Sequence, residues 1–195
     1  MPRASVVEIT PEFARACDSS MREALLASVG QCFGSEYVPG TLPVAQPKLP
    51  SDLRRAASWL LAFDTFIQNP DRRTEKPNHF SSRDGLLAFD HGDAFAFLWP
   101  NFGATEEPAL DPCLDIVKGH FYYTPLKGCL EPLKPFRDAV RGLGNETLDI
   151  IGASVPQEWT VGHAAGKVST ILDTLRRRRD CIDNWLGQVE ACMEK

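Results

Sequence analysis

The stretch that decides the fold runs from Asp64 to Asp93 and reads DTFIQNPDRRTEKPNHFSSRDGLLAFDHGD. A helix arriving from the left must stop at Asn69-Pro70, because the residue before a proline is pushed out of the helical region. Asp71 then stands on a polar loop. Residues 78–80 and Leu86–Asp90 flank the turn signal Arg83-Asp84-Gly85, which predicts an antiparallel hairpin. A tight turn centred on Asp84 sets residue 80 against 88 and Asn78 against Asp90. Opposed residues share a face, ~4.5–5.5 Å apart. An amide oxygen and a carboxylate so placed can share one hard divalent cation with phosphate oxygens. Asp71 can then meet an acceptor hydroxyl as base, which together gives the parts of phosphoryl transfer. The same residues also read without chemistry, as a plain Asn-Pro-Asp turn and a strand-end cap at Asp90. Spacing alone leaves both readings open.

Upstream, Ser51-Asp52 reads as the cap of the helix that delivers this loop, and Leu53, Ala57, Leu60, Asp64 and Ile67 share one face. Asp64 is the odd member of that stripe. A carboxylate facing a core needs cationic or backbone donors, so such partners are expected around it. The prolines at 39, 43, 47 and 50 make residues 39–50 a loop. Before them, residues 6–9 and 31–38 read as extended, and Thr10-Pro11 as a helix start with Thr as N-cap. Downstream, 99–113 is irregular and 119–124 reads as a short extended piece. Helical patterns cover 130–142, 145–153 and 167 to the end. The block Arg176–Arg179 interrupts the last pattern and reads as a solvated face or a helix-end cap rather than a phosphate site.

The chain has 195 residues with 21 Lys+Arg against 26 Asp+Glu, a net charge of −5 that disfavours nucleic acid as the main partner. No apolar run approaches the ~20 residues of a membrane helix. No signal-like apolar block follows Met1, so a cytoplasmic chain is expected. The six cysteines contain no Cys-x-x-Cys and are read as free thiols.

The run Phe63-Asp64, Gln68-Asn69-Pro70-Asp71-Arg72-Arg73, Pro77-Asn78, followed by Ala88-Phe89-Asp90-His91-Gly92, resembles the HipA-like kinases. More distantly it is similar to the Asn-x-Asp-Arg, Asn, Asp pattern of phosphatidylinositol 3- and 4-kinases. Phe33-Gly34-Ser35-Glu36-Tyr37 resembles the strand entering the interlobe hinge, and Val155-Pro156-Gln157-Glu158-Trp159 a carboxy-terminal family feature. The resemblance implies an α+β fold: a mainly helical kinase-like C-terminal lobe with a short catalytic-loop β-hairpin over 41–195, and a remnant of the N-lobe and hinge strands over 1–40. It implies ATP and Mg²⁺ as cofactors and a protein Ser/Thr as acceptor. Asp71 would be the catalytic aspartate, with Asn69, Arg72 and Asp64 buttressing its loop. Asp90 would be a metal ligand, and Glu36, Tyr37 and Val38 would meet adenine through backbone groups. The family's metal-binding Asn often falls five residues after the catalytic Asp. Here that position is Lys76, and the hairpin register favours Asn78 instead.

A kinase also needs a cover and a lysine for the phosphates. The 70 residues before Asp71 hold no Gly-x-Gly-x-x-Gly and a single lysine, Lys48, which lies after the inferred hinge. Three expectations follow: a split kinase completed by a partner protein or a homodimer, an inactive pseudokinase that binds nucleotide or a partner and belongs to a toxin–antitoxin or defence locus, or a truncated coding sequence. A metal-dependent phosphoesterase using Asp71, Asp90, His91 and Asp93 is the reading from another class. The strands at 6–9 and 31–38 would present an open edge and apolar surface to a partner.

Overall fold

The computed structural model describes residues 2–39, 42–43, 49–82, 85–99 and 107–194. The fold is α+β and mostly helical, with two small antiparallel sheets. In the first, β1 (Ala4–Ile9) pairs with β2 (Gly30–Ser35) from Ala4 opposite Ser35 to Ile9 opposite Gly30. Between them run α1 (Pro11–Ala16) and α2 (Ser19–Ala27). Thr10 caps α1 as its sequence requires, with its side chain accepting from the Phe13 N–H; α2 has no counterpart in the sequence reading. The indole N–H of Trp159 ties this layer to the later chain by donating to the Gln31 carbonyl at 2.8 Å.

The second sheet joins β3 (Leu42–Pro43), β4 (His79–Ser82) and β5 (Gly85–Ala88) in that order. Its hairpin departs from the expected register. His79 opposes Ala88, Phe80 opposes Leu87 and Ser82 opposes Gly85, a shift of one residue. Gly85 sits at φ +121, a conformation that L side chains rarely adopt. The strand pairing, which ends with Ser82 opposite Gly85, therefore departs from a register centred on Asp84. A one-residue slip exchanges the faces of a strand. Asn78 is bonded through its carbonyl to the Phe89 N–H at 3.1 Å, and Asp90 lies beyond the ladder.

The sheet rests on α3 (Arg54–Phe66), preceded by a 3₁₀ turn over Ser51–Leu53. Neither Ser51 nor Asp52 makes a side-chain capping bond, contrary to the expected cap. Ala57, Leu60, Asp64 and Ile67 are buried as their spacing requires. The helix ends before Pro70. The Asn69 N–H bonds the Asp64 carbonyl and the Gln68 N–H bonds the Thr65 carbonyl. This crossed pair is the Schellman termination, whose left-handed position is usually glycine. Here Gln68 takes it at φ 51, held by its side-chain amide donating to the Pro108 carbonyl at 2.8 Å.

The remaining core is helical: α4 (Leu114–Gly119), α5 (Tyr123–Leu126), α6 (Lys134–Arg141), α7 (Asn145–Ala153), α8 (Lys167–Asp180) and α9 (Ile182–Glu194). The segment read as extended over 119–124 instead carries the end of α4 and the start of α5, because Phe121 and Tyr122 turn into the core. The long terminal pattern divides at Cys181. From α9, Trp185, Leu186, Val189 and Met193 are fully buried, and Trp185 stacks on Phe66 of α3 with ring centroids 6.1 Å apart.

Within the arginine block, Arg178 is fully buried and serves as a helix-end cap for α3. It donates to the carbonyls of Thr65, Phe66, Pro108 and Asp111 at 2.8–2.9 Å, with its guanidinium 4.7 Å from the Trp185 ring centroid. Charge at the carbonyl end of a helix is favourable, and burial strengthens it. Replacing Arg178 with methionine leaves four carbonyls without this donor, so chemical denaturation should show a loss of about 3–5 kcal/mol. A loss below about 1 kcal/mol would contradict the capping role.

Candidate active site

Asp64 is fully buried on the core face of α3, and its carboxylate is saturated by donors from other elements. Oδ1 accepts from Asn69 Nδ2 at 3.0 Å and Arg72 Nη2 at 3.3 Å; Oδ2 accepts from Arg72 Nε and from His120 Nε2 at 3.1 Å. Burial works to raise the Asp64 pKa, but the His120 hydrogen bond and the Arg72 charge outweigh it and hold the carboxyl below its ordinary value. The partners expected for an acid in an apolar stripe are present.

All five N–H bonds of Arg72 have acceptors, the full complement of a guanidinium. Besides Asp64, they reach the carbonyls of Pro77 and Asn78 and, from Nη2, His91 Nε2 at 3.0 Å. Arg72 is 1 % exposed. It therefore ties α3 to both ends of the loop 71–78 and to the segment after β5. Its own carbonyl accepts from the Phe121 N–H at 2.8 Å, which adds the α4–α5 corner. A second layer continues the network. Tyr122 Oη donates to His79 Nε2 at 2.7 Å, and His79 Nδ1 donates to the Pro77 carbonyl. The Tyr122 N–H donates to His120 Nδ1 at 3.1 Å. His91, the Arg72 acceptor, is held below its usual pKa by burial and by the Arg72 charge.

Within this frame Asp71 is 5 % exposed and lines a cavity of about 390 Å³. Its N–H is taken by Asn69 Oδ1 at 3.2 Å, so Asn69 positions the loop backbone. Its carboxylate accepts from Asn78 Nδ2 at 3.1 Å and from the longer contacts of Arg73 Nη2 and Lys76 Nζ, both at 3.4 Å. The other walls of the cavity include Asp93 and Trp99 after β5, and Asp115 and Ile116 of α4.

The structure thus brings together Asp64, Asn69, Asp71, Arg72 and Asn78. Asp90 is not placed opposite Asn78. It is exposed, takes φ 52, and lies outside the cavity lining; a Cβ at Gly92 would stand 3.5 Å from its Oδ1. Asn78 itself leaves the strand at φ 46, with its amide nitrogen, not its oxygen, turned to Asp71. Among the described residues, no three His, Cys, Asp or Glu side chains are grouped to hold a metal ion. Glu36 and Tyr37 are exposed, with Tyr37 at 85 %, and Val38 is partly buried. The Glu36 N–H is already bonded to the Arg3 carbonyl at 2.9 Å, and none of the three lines the cavity. Sequence reasoning did not reach Trp99, Asp115, His120 or Tyr122; they join the site only through packing over long chain separations.

The histidines make the site testable by pH. Burial pushes His79 down to about 4, while the unfolded chain titrates near 6.5. Between those values the unfolded state binds more protons, so stability falls as pH drops from about 6.5 to about 4, by up to ~1.4 kcal/mol per unit. The Asp64 contribution is lost lower, as pH falls below the ordinary carboxylate value of 3.8. Denaturation midpoints across this range should show the upper step, and His79→Phe should flatten it. An unchanged profile in that variant would assign the step elsewhere.

No protein-family profile, curated protein or solved structure matches this chain.

Proposed function

We propose that this chain is the larger lobe of a HipA-like, ATP- and Mg²⁺-dependent phosphotransferase. The observation that carries the reading is the placement of Asp71, a carboxylate 5 % exposed, on the wall of a cavity and hydrogen-bonded to Asn78. A base for phosphoryl transfer has to be oriented by its own frame yet reachable by an acceptor. In the reaction the acceptor oxygen attacks the γ-phosphorus of ATP, Asp71 takes the hydroxyl proton, and ADP leaves with the electron pair of the broken P–O bond. The resemblance points to a protein serine or threonine as the acceptor class to test first. Asn78 Oδ1 and Asp90 are the proposed Mg²⁺ ligands, and both must turn toward the bound phosphates to serve. Glu36, Tyr37 and Val38 remain the proposed adenine contacts.

The cover for the phosphates is proposed to come from a partner protein or a second copy bound against β1 and β2. Val6 and Phe33 are directly paired there, 49 % and 67 % exposed. Two-stranded sheets of this kind gain stability when further strands or another layer are added. A second reading is an inactive nucleotide- or partner-binding module. It draws on the exposed position of Asp90 and on Lys76, whose ammonium sits beside Asp71 at the sequence position of the family's metal-binding amide.

Thermal unfolding with Mg²⁺ and ATP separates the readings. ATP at about 100 times its dissociation constant should add ~2.7 kcal/mol. Asp90→Ala and Asn78→Ala should abolish the gain, while Asp71→Asn keeps it and loses transfer. Binding without transfer, with the partner present, would leave only the inactive module; no ATP binding in any state would overturn the phosphotransferase and the nucleotide-binding form of that module. Light scattering tests the partner surface: association should appear as concentration rises and weaken in Phe33→Ser. A monomer at every concentration, alone and with the candidate partner, would remove that part of the proposal.

A further inference from the structure

The cavity beside Asp71 has a lining that the phosphate chemistry alone does not explain. Its deepest acid is Asp71, and two more carboxylates, Asp93 and Asp115, stand on the walls contributed by the segment after β5 and by α4. The indole of Trp99, 47 % exposed, lines the same space, and Ala96 and Ile116 give it an apolar floor. Among the described residues, Arg73 is the sole cation of that lining, and its side chain is more than half exposed. Its guanidinium and the Lys76 ammonium approach Asp71 only to 3.4 Å, beyond the ~2.7–2.9 Å of a well-formed charge-assisted bond. Both cations nevertheless pair with Asp71, whereas Asp93 and Asp115 form no salt bridge among the described residues.

Carboxylates around an aromatic face form a receptor for organic ammonium and guanidinium groups. The volume, about 390 Å³, falls in the range of small-molecule pockets and exceeds what one lysine side chain fills. We infer that this cavity binds a small organic polycation that also carries a hydroxyl, with its cationic groups between Asp93, Asp115 and Trp99 and its hydroxyl toward Asp71. This acceptor class, an amino alcohol or polyamino alcohol, departs from the protein serine or threonine. The inference rests on the phosphotransferase reading for the role of Asp71, whereas binding of the cation does not require nucleotide. In the transfer step the hydroxyl oxygen bonds to the γ-phosphorus, its proton passes to Asp71, and ADP departs as above.

The test is calorimetric titration of the nucleotide-free chain with 1,3-diamino-2-propanol and with spermidine, against glycerol as the uncharged control. Both amines should bind, glycerol should not, and affinity should fall with added salt. Asp93→Asn combined with Asp115→Asn should weaken the amines about tenfold or more. Trp99→Leu should weaken them severalfold, with the thermal midpoint of each variant reported alongside to show that the fold is kept. Equal binding of glycerol, no amine binding at millimolar concentration, or affinity unchanged in the double variant would each overturn the inference. Tight binding of a lysine-flanked serine peptide with no binding of either amine would overturn it in favour of a polypeptide acceptor. Loss of Mg²⁺–ATP binding with the amines still bound would instead defeat the phosphotransferase reading and leave the receptor standing.

Discussion

A carboxylate and a guanidinium, Asp64 and Arg72, are both withdrawn from water at the centre of this molecule. Taking two such ions out of solvent costs several kcal/mol each, and mutual attraction recovers that only when the remaining lone pairs and protons are also satisfied. Here they are: Asp64 receives Asn69 and His120 in addition to Arg72, and Arg72 spends its other donors on Pro77, Asn78 and His91. A pair of this kind contributes little net stability compared with a well-packed apolar substitute. Its consequence is positional. Each polar atom has one place where it is satisfied, so the four segments that supply partners have one arrangement in which none is left bare.

The site follows from that arrangement. The loop between α3 and β4 is clamped from inside by Arg72, which leaves Asp71, its sequence neighbour, on the side of the cavity. Asn69 fixes the Asp71 backbone from the same helix terminus that Gln68 closes in a left-handed conformation. Such conformations cost of order 1 kcal/mol for a residue other than glycine and persist where surrounding contacts over-determine them. Among the described residues, three of the five non-glycine residues in this conformation, Gln68, Asn78 and Asp90, lie before and after the loop that carries Asp71. The backbone is most constrained where the chemistry is proposed.

How far the sequence disclosed this differs by residue. Asp64 was legible because an acid in an apolar helical stripe has no solution except buried donors; Asp71 was legible as a loop carboxylate after the helix stop, and Asn69 and Arg72 came only through the family resemblance. The hairpin was legible as a hairpin but not in register. Loops of two and three residues share the Arg83-Asp84-Gly85 signal, and one residue decides which side chains face each other. Residues 119–124 have a β-compatible composition, yet Phe121 and Tyr122 are claimed by the core and by Arg72, which tertiary packing alone determines. His120 lies 56 residues from its acceptor Asp64, and Asp115 shares a wall with Asp71 across 44 residues of chain. No local periodicity encodes those meetings.

The most direct measurement of the central claim is the coupling free energy between Asp64 and Arg72. It comes from unfolding the parent chain, Asp64→Asn, Arg72→Met and the double variant in one denaturant series. Removing one ion strands its partner in the core, so each single variant should lose about 3–5 kcal/mol, and the double variant should recover at least about 2 kcal/mol of the summed loss. Losses that add to within about 0.5 kcal/mol would show two independent residues, and the frame proposed for Asp71 would have no keystone.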